Sequence, residues 1–89
     1  MNFVDSYNEE IEKCDDELIK LLEKRLKLSY YKNKLKSYDE ELDKQSEKKI
    51  IEKLKNRINT RLELGQDTNL SEKIIEDIWH KICQYSRTL

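Results

Sequence analysis

The sequence predicts an all-α protein of three helices, one long and two shorter, and three observations lead there. The 89 residues include no proline and a single glycine, Gly65, whereas a sheet protein needs many such residues at its turns. The apolar residues recur at helical spacing rather than in alternation. Charged residues make up 42% of the chain and hydrophobic residues 36%, a balance suited to helices with one apolar stripe and a solvated remainder.

The first helix is the longest. Positions 4, 7, 11, 14, 18, 21, 25, 28, 32 and 35 alternate steps of three and four, the spacing of a heptad seam. They hold Val4, Tyr7, Ile11, Cys14, Leu18, Leu21, Arg25, Leu28, Lys32 and Leu35, and Ile19, Leu22, Leu26 and Tyr31 widen the stripe. Nothing between Phe3 and Lys36 stops a helix, and at 1.5 Å per residue it would run about 50 Å. A compact globule of this chain length is only about 35 Å across. The far half of the helix therefore needs a partner chain, and the expected assembly is a homodimer.

The apolar rhythm lapses between Lys36 and Asp43, where Ser37 or Asp43 can serve as an N-cap. A second stripe follows in Ile50, Ile51, Leu54, Ile58 and Leu62, with Gly65 just past it, where a helix end favours the left-handed conformation. Gln66, Asp67 and Thr68 read as a loop. Asn69, with Glu72 three residues on, reads as a capping box for a third helix. Its stripe is Leu70, Ile74, Ile75, Ile78, Ile82, Tyr85 and Leu89, flanked by Trp79. No repeat or linker divides the chain, so residues 1–89 are expected to form one domain.

Composition also excludes several classes of function. The chain carries 18 Lys and Arg against 19 Asp and Glu, which argues against a nucleic-acid binder. No apolar run approaches the ~20 residues that cross a bilayer, and the start of the sequence lacks the basic-then-apolar pattern of a secretory signal. A cytoplasmic protein without membrane contact is expected. Cys14 and Cys83 form no CxxC, and with the lone His80 they cannot supply a four-ligand zinc set. Two reduced thiols beside helix interfaces are expected, with His80 at a surface or interface.

Arg25 and Lys32 occupy seam positions otherwise held by apolar side chains, and Lys36 follows one turn later. At 100° per residue all three fall within about 20° of one line on the helix surface. Desolvating an unpaired cation costs several kcal/mol, so something anionic should meet them. Two arrangements satisfy this: structural ion pairs with Asp43, Glu47 or a partner chain, or a pocket for a small dicarboxylate or phosphate. In the second, arginine would fork one anionic group and lysine would act as a movable point charge.

The residues that open the chain resemble those of a known family. Tyr7-Asn8-Glu9-Glu10-Ile11-Glu12-Lys13-Cys14-Asp15, followed by Leu18, Leu21-Leu22 and Arg25, is similar to the opening pattern of the all-helical (AroQ-type) chorismate mutases. Lys36, eleven residues after Arg25, stands where that family has a lysine. Asp43 and Glu47 look like the acidic pair of its second helix, and Ser86 like the serine near the end of its third. The resemblance implies two chains intertwined through their long first helices, each of two sites drawing residues from both. It implies the rearrangement of chorismate to prephenate, a step in aromatic amino-acid biosynthesis, with no cofactor or metal. It further implies that Arg25 grips a substrate carboxylate and that Lys36 bonds the ether oxygen and a carboxylate. Glu47 and Asp43 would hold the ring hydroxyl, and Ser86 would help with the remaining carboxylate.

The pattern also departs from the family. An arginine supplied by the partner chain is Asn8 here, and an arginine of the second helix is Ser46. The family's glutamine at the ether oxygen lies beyond Ser86, past the Leu89 at which this sequence stops. Each charge-assisted hydrogen bond contributes about 1.5–3 kcal/mol, so two lost arginines imply a slow enzyme, by roughly two to four decades. Lys32, where the family usually has an apolar residue, is a candidate substitute. A non-catalytic helical dimer with a binding or regulatory role, and a relative acting on isochorismate, are the alternative functions.

Overall fold

The computed structural model describes residues 2–35 and 40–89. Three helices account for nearly all of them: α1 (Phe3–Leu35), α2 (Glu40–Glu63) and α3 (Glu72–Arg87), with no strand among the described residues. Lys36 and Ser37 lie outside the described residues.

α1 is a continuous helix of 33 residues. Asn2 starts it, with Oδ1 accepting from the Asp5 backbone N–H at 2.8 Å. α2 ends as the glycine predicts. Gly65 has φ +77°, its N–H donates to the Leu62 carbonyl at 3.0 Å, and the Gln66 N–H reaches back to Arg61 at 2.9 Å. These paired bonds satisfy carbonyls that the last helical turn leaves open.

Two expected caps differ. Asp43 lies within the first turn of α2, which begins three residues earlier at Glu40. Ser71, rather than Asn69, caps α3: its backbone is extended and its Oγ accepts from the Ile74 N–H at 3.2 Å. Glu72 does not curl back to close a capping box, because its Oε1 accepts from Asn59 Nδ2 of α2 at 3.0 Å.

α3 is the middle element. It packs against both α2 and α1, which do not approach each other closely among the described residues. Ile58 of α2 and Ile75 and Cys83 of α3 are the buried residues of this small core. An ion pair from Lys55 to Glu76 also ties α2 to α3. The face of α3 turned inward runs through Ile75, Trp79, Ile82, Cys83 and Ser86, whereas Ile74, Ile78 and Tyr85 of the predicted stripe are exposed. The apolar surface of this helix is broader than the contact it makes within one chain.

The molecule is elongated. Its extents are 54 × 30 × 17 Å and its radius of gyration is 16.4 Å, against about 12 Å for a compact chain of this length. α1 contains no buried residue. Phe3, Val4, Tyr7, Ile11 and Leu18 are all exposed along its N-terminal half. Leu22 and Leu26 of α1, with Ile78, Ile82 and Tyr85 of α3, line an open apolar groove of about 500 Å³. No helix among the described residues is long and apolar enough to cross a membrane.

Candidate active site

Each helix contributes one stripe of side chains to a single cleft. α1 supplies Arg25, Ser29, Lys32 and Asn33; α2 supplies Asp43, Ser46, Glu47 and Ile50; α3 supplies Cys83, Ser86 and Arg87. These spacings of three, four and seven are those of one face of a helix. The cleft is small, with a cavity volume of about 50 Å³, and it opens to solvent.

Arg25 is held from α3. Its Nη1 donates to Ser86 Oγ at 3.0 Å and its Nη2 to Cys83 Sγ at 3.9 Å. Ser86 spends its own proton on the Ile82 carbonyl at 2.8 Å, which leaves the hydroxyl oxygen facing Arg25 as an acceptor. Asn33, two turns further along α1, donates to the carbonyls of Ser86 at 3.0 Å and Leu89 at 3.3 Å. The end of α3 is thereby tied to α1, because Asn33 reaches carbonyls that a helix C-terminus leaves open.

Glu47 is engaged twice. Its Oε1 lies 3.1 Å from His80 Nδ1, and its Oε2 accepts from Arg87 Nη2 in an ion pair between α2 and α3. Its side chain is only 12% exposed. His80 is on the surface, as its sequence context suggested, yet it reaches this largely enclosed carboxylate.

The ion pairs expected for the seam cations take another form. No described carboxylate lies within ion-pair distance of Arg25 or Lys32; Arg25 bonds a hydroxyl and a thiol, and Glu47 bonds Arg87 and His80. Nor is the face that carries them buried: Arg25 is half-buried and Lys32 exposed. Burial raises the Cys83 thiol above its ordinary pKa, with the nearby Arg25 guanidinium pulling the other way. The net shift is upward, so the cysteine beside Arg25 is a neutral thiol.

Of the residues singled out from sequence, Arg25, Lys32, Asp43, Ser46, Glu47 and Ser86 line this cleft. Asn8 does not: it is exposed near the start of α1, seventeen residues or about 26 Å along the helix from Arg25. Lys36 lies outside the described residues. Sequence reasoning missed Ser29, Asn33, Ile50, Cys83 and above all Arg87. Arg87 is adjacent to Ser86, but adjacency alone does not reveal that its guanidinium spans to Glu47.

The arrangement suits a small anion that also carries a hydroxyl. Arg25 and Lys32 present positive charge without a described carboxylate to quench it, while Asp43 and Glu47 can accept from a hydroxyl. A family model for chorismate mutase type II matches residues 7–89. The chain belongs to the chorismate mutase type II family. Neither the curated proteins nor the solved structures include a match.

Proposed function

We propose that this chain is a chorismate mutase, rearranging chorismate to prephenate within one domain of a homodimer. The observation that carries the reading is Arg25, a half-buried guanidinium oriented by Ser86 at 3.0 Å and neutralised by no described carboxylate, in a cleft shared with Lys32, Asp43 and Glu47.

The rearrangement breaks an ether C–O bond and forms a C–C bond within one molecule, so it needs no nucleophile. The protein accelerates it by holding the folded, reactive shape and by stabilising negative charge that develops on the ether oxygen. In this reading Arg25 forks one carboxylate, as guanidinium geometry favours. Lys36 serves the ether oxygen and a carboxylate. Glu47 and Asp43 accept from the ring hydroxyl, and Ser86 assists at the remaining carboxylate while keeping Arg25 aimed. Lys32 and Ser46 are further polar contacts, and Asn8 reaches the neighbouring site from the partner chain.

The dimer is supported by surface that one chain leaves open. The accessible area is 7812 Å², against about 5,500 Å² for a compact monomer of this mass. The excess includes the apolar face of α1 and the groove between α1 and α3. A second copy of α1, bringing Val4, Tyr7, Ile11 and Leu18, would cover such surface with side chains of matching chemistry.

Loss of chorismate absorbance on adding purified protein, followed by identification of the product, tests the reading. Prephenate formation that disappears in Arg25→Ala supports it. Unchanged chorismate at high protein concentration favours the non-catalytic dimer, and pyruvate release from isochorismate favours the other substrate.

A further inference from the structure

The cleft holds a guanidinium that the resemblance does not anticipate. Arg87 follows Ser86 on α3 and lies one turn beyond Cys83, so it shares the face that lines the cleft. Its Nη2 reaches across to Glu47 on α2. The Arg87 side chain is 24% exposed, open enough to meet a ligand and enclosed enough for its charge to be weakly screened. Arginine carries five N–H donors in a rigid fork. Glu47 is the one described partner of that fork, which leaves further donors for an incoming oxygen.

We propose that Arg87 binds a carboxylate of the substrate, supplying from α3 the guanidinium that the family pattern would carry on α2 at Ser46. The assignment rests on the chorismate reading above. Ser46 and Arg87 line the same cleft, so a cation entering from either helix serves the same space. Among the described lining residues, Arg25, Lys32 and Arg87 bring three positive charges against the two negative charges of Asp43 and Glu47. Arg87 thereby raises the net charge of the described lining from zero to +1, and a dicarboxylate is attracted more strongly for it. Glu47 keeps its second oxygen beside His80, so it stays oriented as a hydroxyl acceptor when Arg87 turns part of its fork to the ligand.

A narrower role, in which Arg87 only holds Glu47 in place, makes a different prediction. Steady-state kinetics with chorismate and calorimetry with prephenate, on the full chain, separate the two. Arg87→Gln is expected to raise KM and the prephenate Kd about ten- to hundredfold, with helical content and unfolding midpoint close to those of the unaltered chain. Arg87→Lys keeps charge without the fork and recovers part of the loss. The loss persists in a Glu47→Gln background, because a direct ligand contact does not pass through Glu47. An Arg87→Gln effect that vanishes in that background overturns the assignment, as does unchanged affinity. If Arg25→Ala still abolishes binding in either case, the chorismate reading stands. Should Arg87→Gln not fold, Arg87→Lys carries the test: a KM raised about tenfold supports the assignment and an unchanged KM overturns it. No chorismate turnover or binding by the unaltered chain overturns both the reading and the assignment.

Discussion

Arg25 and Ser86 stand 61 positions apart in the chain and 3.0 Å apart in space. The bond joins α1 to α3 at the cleft and fixes the plane of a guanidinium that has no described carboxylate to orient it. Ser86→Ala removes that acceptor without removing charge. It is expected to lower kcat/KM about tenfold, the lower end for one hydrogen bond to a charged group. Arg25→Ala removes the charge as well and is expected to cost more than tenfold. Equal effects of the two substitutions in steady-state assays would show that orientation, not charge, is what Arg25 contributes.

Leu18 and Leu21 lie on the long apolar face of α1, exposed in one chain. Leu18→Asp or Leu21→Asp would bury a charge if a second copy covers that face. The unaltered chain is expected to sediment as a dimer at micromolar concentration, and either variant as a monomer or an unfolded chain. A variant that remains a folded dimer would remove α1 from the interface.

Asn8 and Ser46 respond differently to arginine. Asn8→Arg is expected to raise kcat/KM about tenfold or more, because a charge-assisted bond from the partner chain is added where none exists. Ser46→Arg places a third guanidinium in the cleft that Arg25 and Arg87 already line, and repulsion between like charges offsets its gain. Little or no increase is expected there. A large gain from Ser46→Arg in kinetic assays would show that Arg87 does not fill that role. If Arg87 replaces one of the two missing arginines from α3, chorismate turnover by the unaltered chain should be slower than a full set of arginines would give by about one to two decades.

Cys83 links folding to pH. Its thiol is raised above the ordinary value of 9.0, chiefly by burial. The native state therefore holds this proton more tightly than the unfolded chain. Its contribution is constant below pH 9 and declines as pH rises, because the unfolded thiol ionises first. Urea titrations between pH 8 and pH 10 are expected to show a loss of stability that Cys83→Ser lacks, as assay conditions. Cys83 should also react with thiol reagents more slowly than the unfolded chain does.

Gly65 sits at φ +77° with open space around its Cα. Gly65→Ala meets no clash, so its cost is conformational, about 1 kcal/mol. Thermal unfolding should shift downward by about 4–8 °C, with activity per folded molecule retained. A larger loss would mean that the turn contacts a partner.

The helix count and the end of α2 follow from the sequence alone because their causes are local. The heptad spacing of α1 needs no neighbour to be recognised, and the glycine at 65 stands where a left-handed residue must stand. The overlong apolar face is local information too. The alignment of Arg25 and Lys32 on one line of α1 follows from the pitch of the helix.

What tertiary structure decided is which partner each side chain meets. The sequence points to Asn69 as the cap of α3, but Ser71 takes that place, and Glu72 pairs with Asn59 across the α2–α3 contact instead of closing a capping box. The apolar belt of α3 is broader than one face, and only packing against α1 and α2 selects Ile75, Trp79 and Cys83 over Ile74, Ile78 and Tyr85. The sequence offers Glu47 only the cations of the first helix, and the fold gives it Arg87 and His80 of α3 instead. Helical periodicity states which residues share a face; it carries no information on the distance between faces of different helices. That distance places a guanidinium 40 positions away against Glu47.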